Sequence, residues 1–186
     1  MWRRALLLGI GCMAVGLLIP QPAEAQRSKA SRIASAMAAA PTSISRDATI
    51  KDWPGKDGKM AVLREGTNGW MCLPSNPRTQ YKKNDAMCLD PEWQEWLAAA
   101  FENRAPKITK VGYAYMLTAD EWGSNTDPLG AKGPTPENQW HYQGPHLMVV
   151  YPDVKMLEGI PARPSKMGPY VMMPGSHHAH VMWPVK

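Results

Sequence analysis

Apolar residues recur at helical spacing most clearly in one stretch, where Trp93, Trp96, Leu97, Ala100 and Phe101 stand at i, i+3, i+4, i+7 and i+8. Asp90 precedes it as a side-chain cap for free backbone N–H groups, and Pro91 takes the first helical position. Glu92 and Glu95 favour the positive end of the helix dipole, and Pro106 stops the run. The pattern predicts one main helix with a buried tryptophan stripe. A weaker period, Ile33, Ala36, Met37 and Ala40, ends at Pro41 and reads as a short docked helix or a tail. On this reading segment 26–55 is peripheral, and residues 42–59 are irregular with Trp53 as an anchor to the core.

Elsewhere the period is two. Residues 61–65 and 70–73 flank Gly66-Thr67-Asn68-Gly69, and Asn-Gly predicts a hairpin between them. Over 110–118, Val111, Tyr113, Tyr115 and Leu117 oppose Gly112, Ala114 and Met116, whose small members let the Trp93 helix lie close. Three more strands are predicted at 146–151, 170–173 and 178–185, with a helical turn at 153–158 after the first. Residues 119–145 show no period and read as a long connection punctuated by Gly and Pro. Together these elements predict an α+β fold: an antiparallel or mixed sheet of five or six short strands, packed by one main helix, with long loops. It forms a single domain over 56–186, with no internal repeat and no linker.

Composition and the leader change that picture in one respect, the compartment. Arg3 and Arg4 precede about 15 apolar residues, Pro20 and Pro22 follow, and Ala23-Glu24-Ala25 offers a small-x-small cleavage site. Residues 1–25 therefore read as a secretory signal peptide, too short to span a bilayer, which needs roughly 20 residues. The chain is expected to be periplasmic or secreted, with no membrane span after the signal is removed. Cys12 leaves with the leader, so Cys72 and Cys88 are expected to form a disulfide in an oxidising compartment. Net charge falls from +5 to +4 on processing, and Lys82-Lys83 is the sole adjacent basic pair beyond the leader. Such scattered charge argues against nucleic acid as a partner. With 18 Pro, 13 Met and 8 Trp against a single Phe, the core is expected to be filled by Met and Trp.

Several stretches carry a resemblance: residues 63–74 (Leu-Arg-Glu-Gly-Thr-Asn-Gly-Trp-Met-Cys-Leu-Pro), Met87-Cys88-Leu89-Asp90, Ser124-Asn125-Thr126-Asp127-Pro128, residues 144–150 and Pro169-Tyr170-Val171-Met172. Together they resemble a family of uncharacterised secreted bacterial proteins, over most of the chain after about residue 55. The resemblance implies export and supplies no activity.

All five histidines lie in the last quarter of the chain: His141, His146, His177, His178 and His180. Period two puts His178, His180 and Met182 on one face of the last strand, opposite Ala179, Val181 and Trp183, which read as the core face. His146 and Met148 share a face of the earlier strand. In a suitable register His146, His178 and His180 would cluster, with Met148, Met172 or Met182 beside them. Such a cluster suits copper, or zinc as an alternative cofactor. The competing reading leaves these histidines as structural or solvated groups. In the 119–145 connection, Trp122, Asp127, Trp140, His141 and Tyr142 could grip a small molecule or a protein in the periplasm. No catalytic residue is identified. Ser124, Asp127 and His146 offer triad residue types without a Gly-x-Ser-x-Gly turn, which leaves a small hydrolase as a remote alternative. The expected function is a non-enzymatic binding module, with a His/Met metal protein second.

Overall fold

The computed structural model describes residues 28–78 and 81–185; the expected leader, 1–25, lies outside them. The chain is α+β. In order it forms α1 (Lys29–Met37), α2 (Thr42–Ser45), β1 (Thr49–Lys51), β2 (Val62–Arg64), β3 (Met71–Leu73), β4 (Lys82–Asn84) and β5 (Met87–Leu89). Then come α3 (Pro91–Phe101), β6 (Gly112–Met116), β7 (Asp120–Gly123), β8 (His141–Gln143), β9 (His146–Val150), β10 (Tyr170–Met172) and β11 (His180–Pro184). A 3-10 turn, Val154–Leu157, follows β9. Eleven strands among the described residues exceed the five or six expected; the additional ones, β1, β4, β5, β7 and β8, are only three or four residues long and display no period of their own. No helix among the described residues is long and apolar enough to cross a membrane.

Eight strands form the main sheet, in the order β10-β11-β9-β6-β5-β3-β1-β2. Neighbours are antiparallel throughout except β1 and β3, which run parallel. This corrects the expected hairpin. β2 and β3 do not pair; β1, from a segment read as irregular, is inserted between them. Gly69 does adopt the positive φ that Asn-Gly signals (77°), but as part of a wider excursion. The backbone N–H of Thr67 donates to the Asp47 carbonyl (2.8 Å), and the Arg64 guanidinium donates to the carbonyls of Ser45 (2.7 Å) and Ala48 (2.9 Å). These bonds draw the α2–β1 segment into the gap.

Both faces of the sheet are covered. On one, Asp90 caps α3 by accepting from the Trp93 N–H at 3.0 Å, and its other oxygen accepts from the Tyr113 N–H at 2.6 Å. That double bond sets the helix over β6. A Cβ added at Gly112 would stand 2.5 Å from Glu92 Cβ, so the small residue is what permits the approach. Trp93, Trp96 and Leu97 then bury against Leu89, Ala114, Met116, Met148, Met172 and Met182. On the opposite face α1 packs through Ala36 against Ile50, Cys72 and Cys88, and the two cysteines form the expected disulfide between β3 and β5. Further along that face Val149, Val171 and Val181 meet Leu157.

The last strand was expected to turn only Ala179, Val181 and Trp183 inward. Instead His180 and Met182 face α3 and are buried, Val181 is buried on the other side, and Trp183 is exposed. A sheet covered on both faces has no polar side, and His146 and His180 are core residues. The remaining strands form a small antiparallel sheet, β4-β7-β8, on the α3 side. It turns two stretches of the expected 119–145 loop into paired strands, and Gly144-Pro145 links it directly to β9.

Candidate functional site

A cavity of about 790 Å³ lies between α3, the facing side of the main sheet and the inner side of the small sheet. Met116, Met148, Met172 and Met182 line its floor, and Trp93 and Trp96 one wall. These side chains converge because β6, β9, β10 and β11 each turn their α3-facing positions the same way. The register sets Met148 directly opposite Met182. Lys82, Glu121 and Gln143 bring polarity from the small sheet, and Trp53, Arg78 and Phe101 also line the space. A smaller cleft of about 260 Å³ also has His146 and Gln143 in its lining.

Two histidines set the chemistry of the interior. His146 Nδ1 lies 2.7 Å from the Gly144 carbonyl, and His180 Nδ1 lies 2.9 Å from the His178 carbonyl. A carbonyl accepts, so in each ring Nδ1 carries the hydrogen and Nε2 is left as a bare lone pair. Both Nε2 atoms are buried with no protein partner, and so is the donor Nε1–H of Trp93. Burial pushes each imidazole down to about 4, against a smaller opposing effect of its carbonyl bond. Both rings are neutral at physiological pH. His180 also meets Trp93 and Trp96 edge-on, with ring centroids 5.0 and 5.3 Å apart.

The polar end is a buried ion pair. Lys82 Nζ lies 3.0 Å from Glu121 Oε2 and 3.9 Å from Asp85 Oδ2. Asp85 Oδ1 accepts from the Ser75 hydroxyl (2.9 Å) and the Asn76 N–H (2.7 Å). Burial raises the Glu121 carboxyl above its ordinary value, the Lys82 ammonium opposes that, and Asp85 adds to it. Holding such a pair away from water is costly, so its presence beside a cavity fits a site more than a stability device.

Of the expected metal ligands, His146, His180, Met148 and Met182 all line the cavity, whereas His178 does not. His178 instead sets its ring edge-on to Trp96, with centroids 5.1 Å apart, and burial lowers its imidazole. The expected three-histidine cluster is not assembled. His146 stands opposite Pro184 and His180 opposite Met172, four residues apart along β11. At roughly 3.4 Å per residue their Cα atoms are about 14 Å apart, with the Met148–Met182 pair between them. No group of three or more His, Cys, Asp or Glu able to hold a metal ion occurs among the described residues.

The expected grip of the 119–145 segment is also dispersed. Trp122 and Tyr142 pair across β7 and β8 and are exposed, with ring centroids 5.7 Å apart. Trp140 packs edge-on against Tyr81. Asp127 accepts from the Gly130 N–H in a turn, and His141 Nε2 accepts from the Tyr170 hydroxyl at 2.9 Å. None of these five residues lines the larger cavity, and His141 and Tyr142 line the smaller cleft. Ser124 donates to the Asn138 carbonyl and accepts from the Asp127 N–H, so its hydroxyl is engaged within its own turn. The residues that periodicity assigned to packing alone, Trp93, Trp96 and Met116, line the cavity instead. The available signal was the excess of Met on strand positions that share a face with histidine.

Comparisons of the chain with protein-family models, curated proteins and solved structures find no match.

Proposed function

We propose that this protein is a non-catalytic binding protein, exported from the cytosol, that takes a small and largely apolar molecule into the Met-lined cavity. The observation that carries this reading is a space of about 790 Å³ lined by methionine and tryptophan side chains, with Lys82, Glu121 and Gln143 supplying polarity at one end. Small-molecule sites have this size and character, an apolar lining with a few fixed polar groups. Export is supported by the leader pattern and by the disulfide, which is rare in the cytosol.

The test is occupancy. Anilinonaphthalene sulfonate, an amphipathic fluorescent probe with an apolar aromatic body, is expected to bind the native protein and to quench Trp93 and Trp96. Ala100→Trp places an indole in the cavity and should abolish that binding while leaving the far-UV circular dichroism unchanged. Equal probe binding by the folded variant would remove the proposal.

Copper is the second reading. The register sets Met116 opposite His146 and Met172 opposite His180, so each histidine has a methionine as its cross-strand neighbour. An imidazole with a thioether suits cuprous ion better than zinc, which takes four ligands. Competition against a cuprous chelator tests it: failure to take up any ion leaves only the organic ligand.

A further inference from the structure

We infer that the molecule held in this cavity is an anionic amphiphile, its carboxylate on Arg78 at the mouth and its apolar body on the methionine floor. The inference rests on the binding reading above and names the chemistry of its ligand. Three side chains line the cavity and are also exposed, so they mark where it opens: Arg78, Phe101 and Leu129. Phe101 and Leu129 are 53% and 59% exposed and give that mouth an apolar rim. At the floor Met148, Met172 and Met182 are each at most 6% exposed. A charged head at the mouth and an apolar body within match that gradient.

Arg78 stands where a ligand can reach it. Its guanidinium donates to the Pro54 carbonyl (2.5 Å), and the adjacent Trp53 indole N–H donates to the Pro74 carbonyl (2.6 Å), which fixes this part of the rim at two points. The guanidinium makes no other hydrogen bond and enters no ion pair among the described residues. The carboxylates flanking Pro54 are engaged elsewhere, Asp52 with Arg32 and Asp57 with the Lys59 N–H.

Lys82, the other cation of the lining, is already held 3.0 Å from Glu121 and 3.9 Å from Asp85. A ligand anion there would face two carboxylates. His146 and His180 offer no positive charge, because burial pushes both down to about 4. A negative charge on the ligand therefore has one favourable place. A planar carboxylate matches the guanidinium fork and gains charge-assisted hydrogen bonds. An ammonium would meet a like charge at Arg78, and a neutral head would leave the fork to water.

The experiment compares three probes that share one alkyl chain: dodecanoate, dodecan-1-ol and dodecyltrimethylammonium. Each is measured by equilibrium dialysis at pH 8, below its micelle-forming concentration. The alcohol is more hydrophobic than the carboxylate, so a cavity without charge recognition prefers the alcohol. At low salt the wild-type protein is expected to bind dodecanoate about tenfold more tightly than dodecan-1-ol, and the preference should shrink in molar salt. Arg78→Gln, an exposed substitution, should reverse the order and leave the affinity for dodecan-1-ol within about twofold of wild type. Alcohol or ammonium bound as tightly as dodecanoate by the wild-type protein overturns the anionic head and leaves the cavity standing. A dodecanoate preference that is indifferent to salt, or that survives Arg78→Gln, overturns the assignment to Arg78. Binding of none of the three overturns the cavity reading as well.

Discussion

A neutral imidazole held in an apolar wall makes the protein sensitive to acid, and the sign follows from the two states. In the folded chain His146 and His180 accept protons only near pH 4, whereas an unfolded histidine does so near 6.5. Between those values the unfolded chain binds more protons, so stability is full above about pH 6.5 and falls as pH drops towards 4. Each ring contributes on the order of 3 kcal/mol to that loss. Lys82 and His141 bear on His146, and His146 and His178 on His180, all disfavouring a second positive charge. Glu121 and Asp90, whose carboxyls are raised, oppose the trend because the folded chain keeps their protons to higher pH. The clean measurement is therefore a difference. Between pH 7.5 and pH 4 the wild type should lose stability in urea relative to His180→Leu, since the variant lacks one titrating ring. A gap independent of pH would mean that His180 is not held neutral by burial.

Element by element, what can be read from sequence depends on how many inward positions an element has. α3 has four buried apolar residues, Trp93, Trp96, Leu97 and Ala99, plus a cap, and Asp90, Pro91, Trp93, Trp96 and Leu97 stand where their spacing puts them. Phe101, the last of that stripe, is exposed and lines the cavity. β6, β9 and β11 have five residues each and were legible as strands, although the period of β11 did not reveal that its histidine face is buried. β1 has one buried residue, Ile50, and β4 has none, so neither shows a period; only tertiary pairing defines them. The cavity was illegible for a related reason, since a tryptophan stripe looks the same whether it meets a filled core or a space. Gly112, by contrast, was read correctly as the gap that admits α3. Gly112→Ala would put a methyl 2.5 Å from Glu92 Cβ and 2.9 Å from Val150 Cγ2. Glu92 cannot simply withdraw, because its carboxylate accepts from the Thr109 N–H (2.8 Å) and hydroxyl (3.0 Å). The helix must lift, at a cost of about 1–3 kcal/mol. Denaturant midpoints check this, and a variant as stable as wild type would show that α3 is free to move.

Across the whole molecule the main sheet separates a staple from a site. Cys72 and Cys88 face each other across β3 and β5 with Cα atoms 4.0 Å apart, both fully buried on the side covered by α1. Their strand neighbours Met87 and Leu89 turn the other way and line the cavity. The cross-link closes a loop of 16 residues in sequence separation, largely polar and with little apolar surface to hold it. Restricting such a loop in the unfolded chain is worth about 3 kcal/mol. Because that effect acts chiefly on the unfolded state, the folded site should be nearly indifferent to it. The Cys72→Ala, Cys88→Ala double variant is expected to lose about 3 kcal/mol in urea and, at temperatures where it is still folded, to bind anilinonaphthalene sulfonate within about twofold of wild type. The factor of two allows for the small shift that two missing sulfurs permit in β5, since about 0.4 kcal/mol separates such affinities. A stability loss accompanied by a tenfold loss of probe would mean that the two faces are coupled through β5, and that the disulfide shapes the cavity as well as stapling the fold.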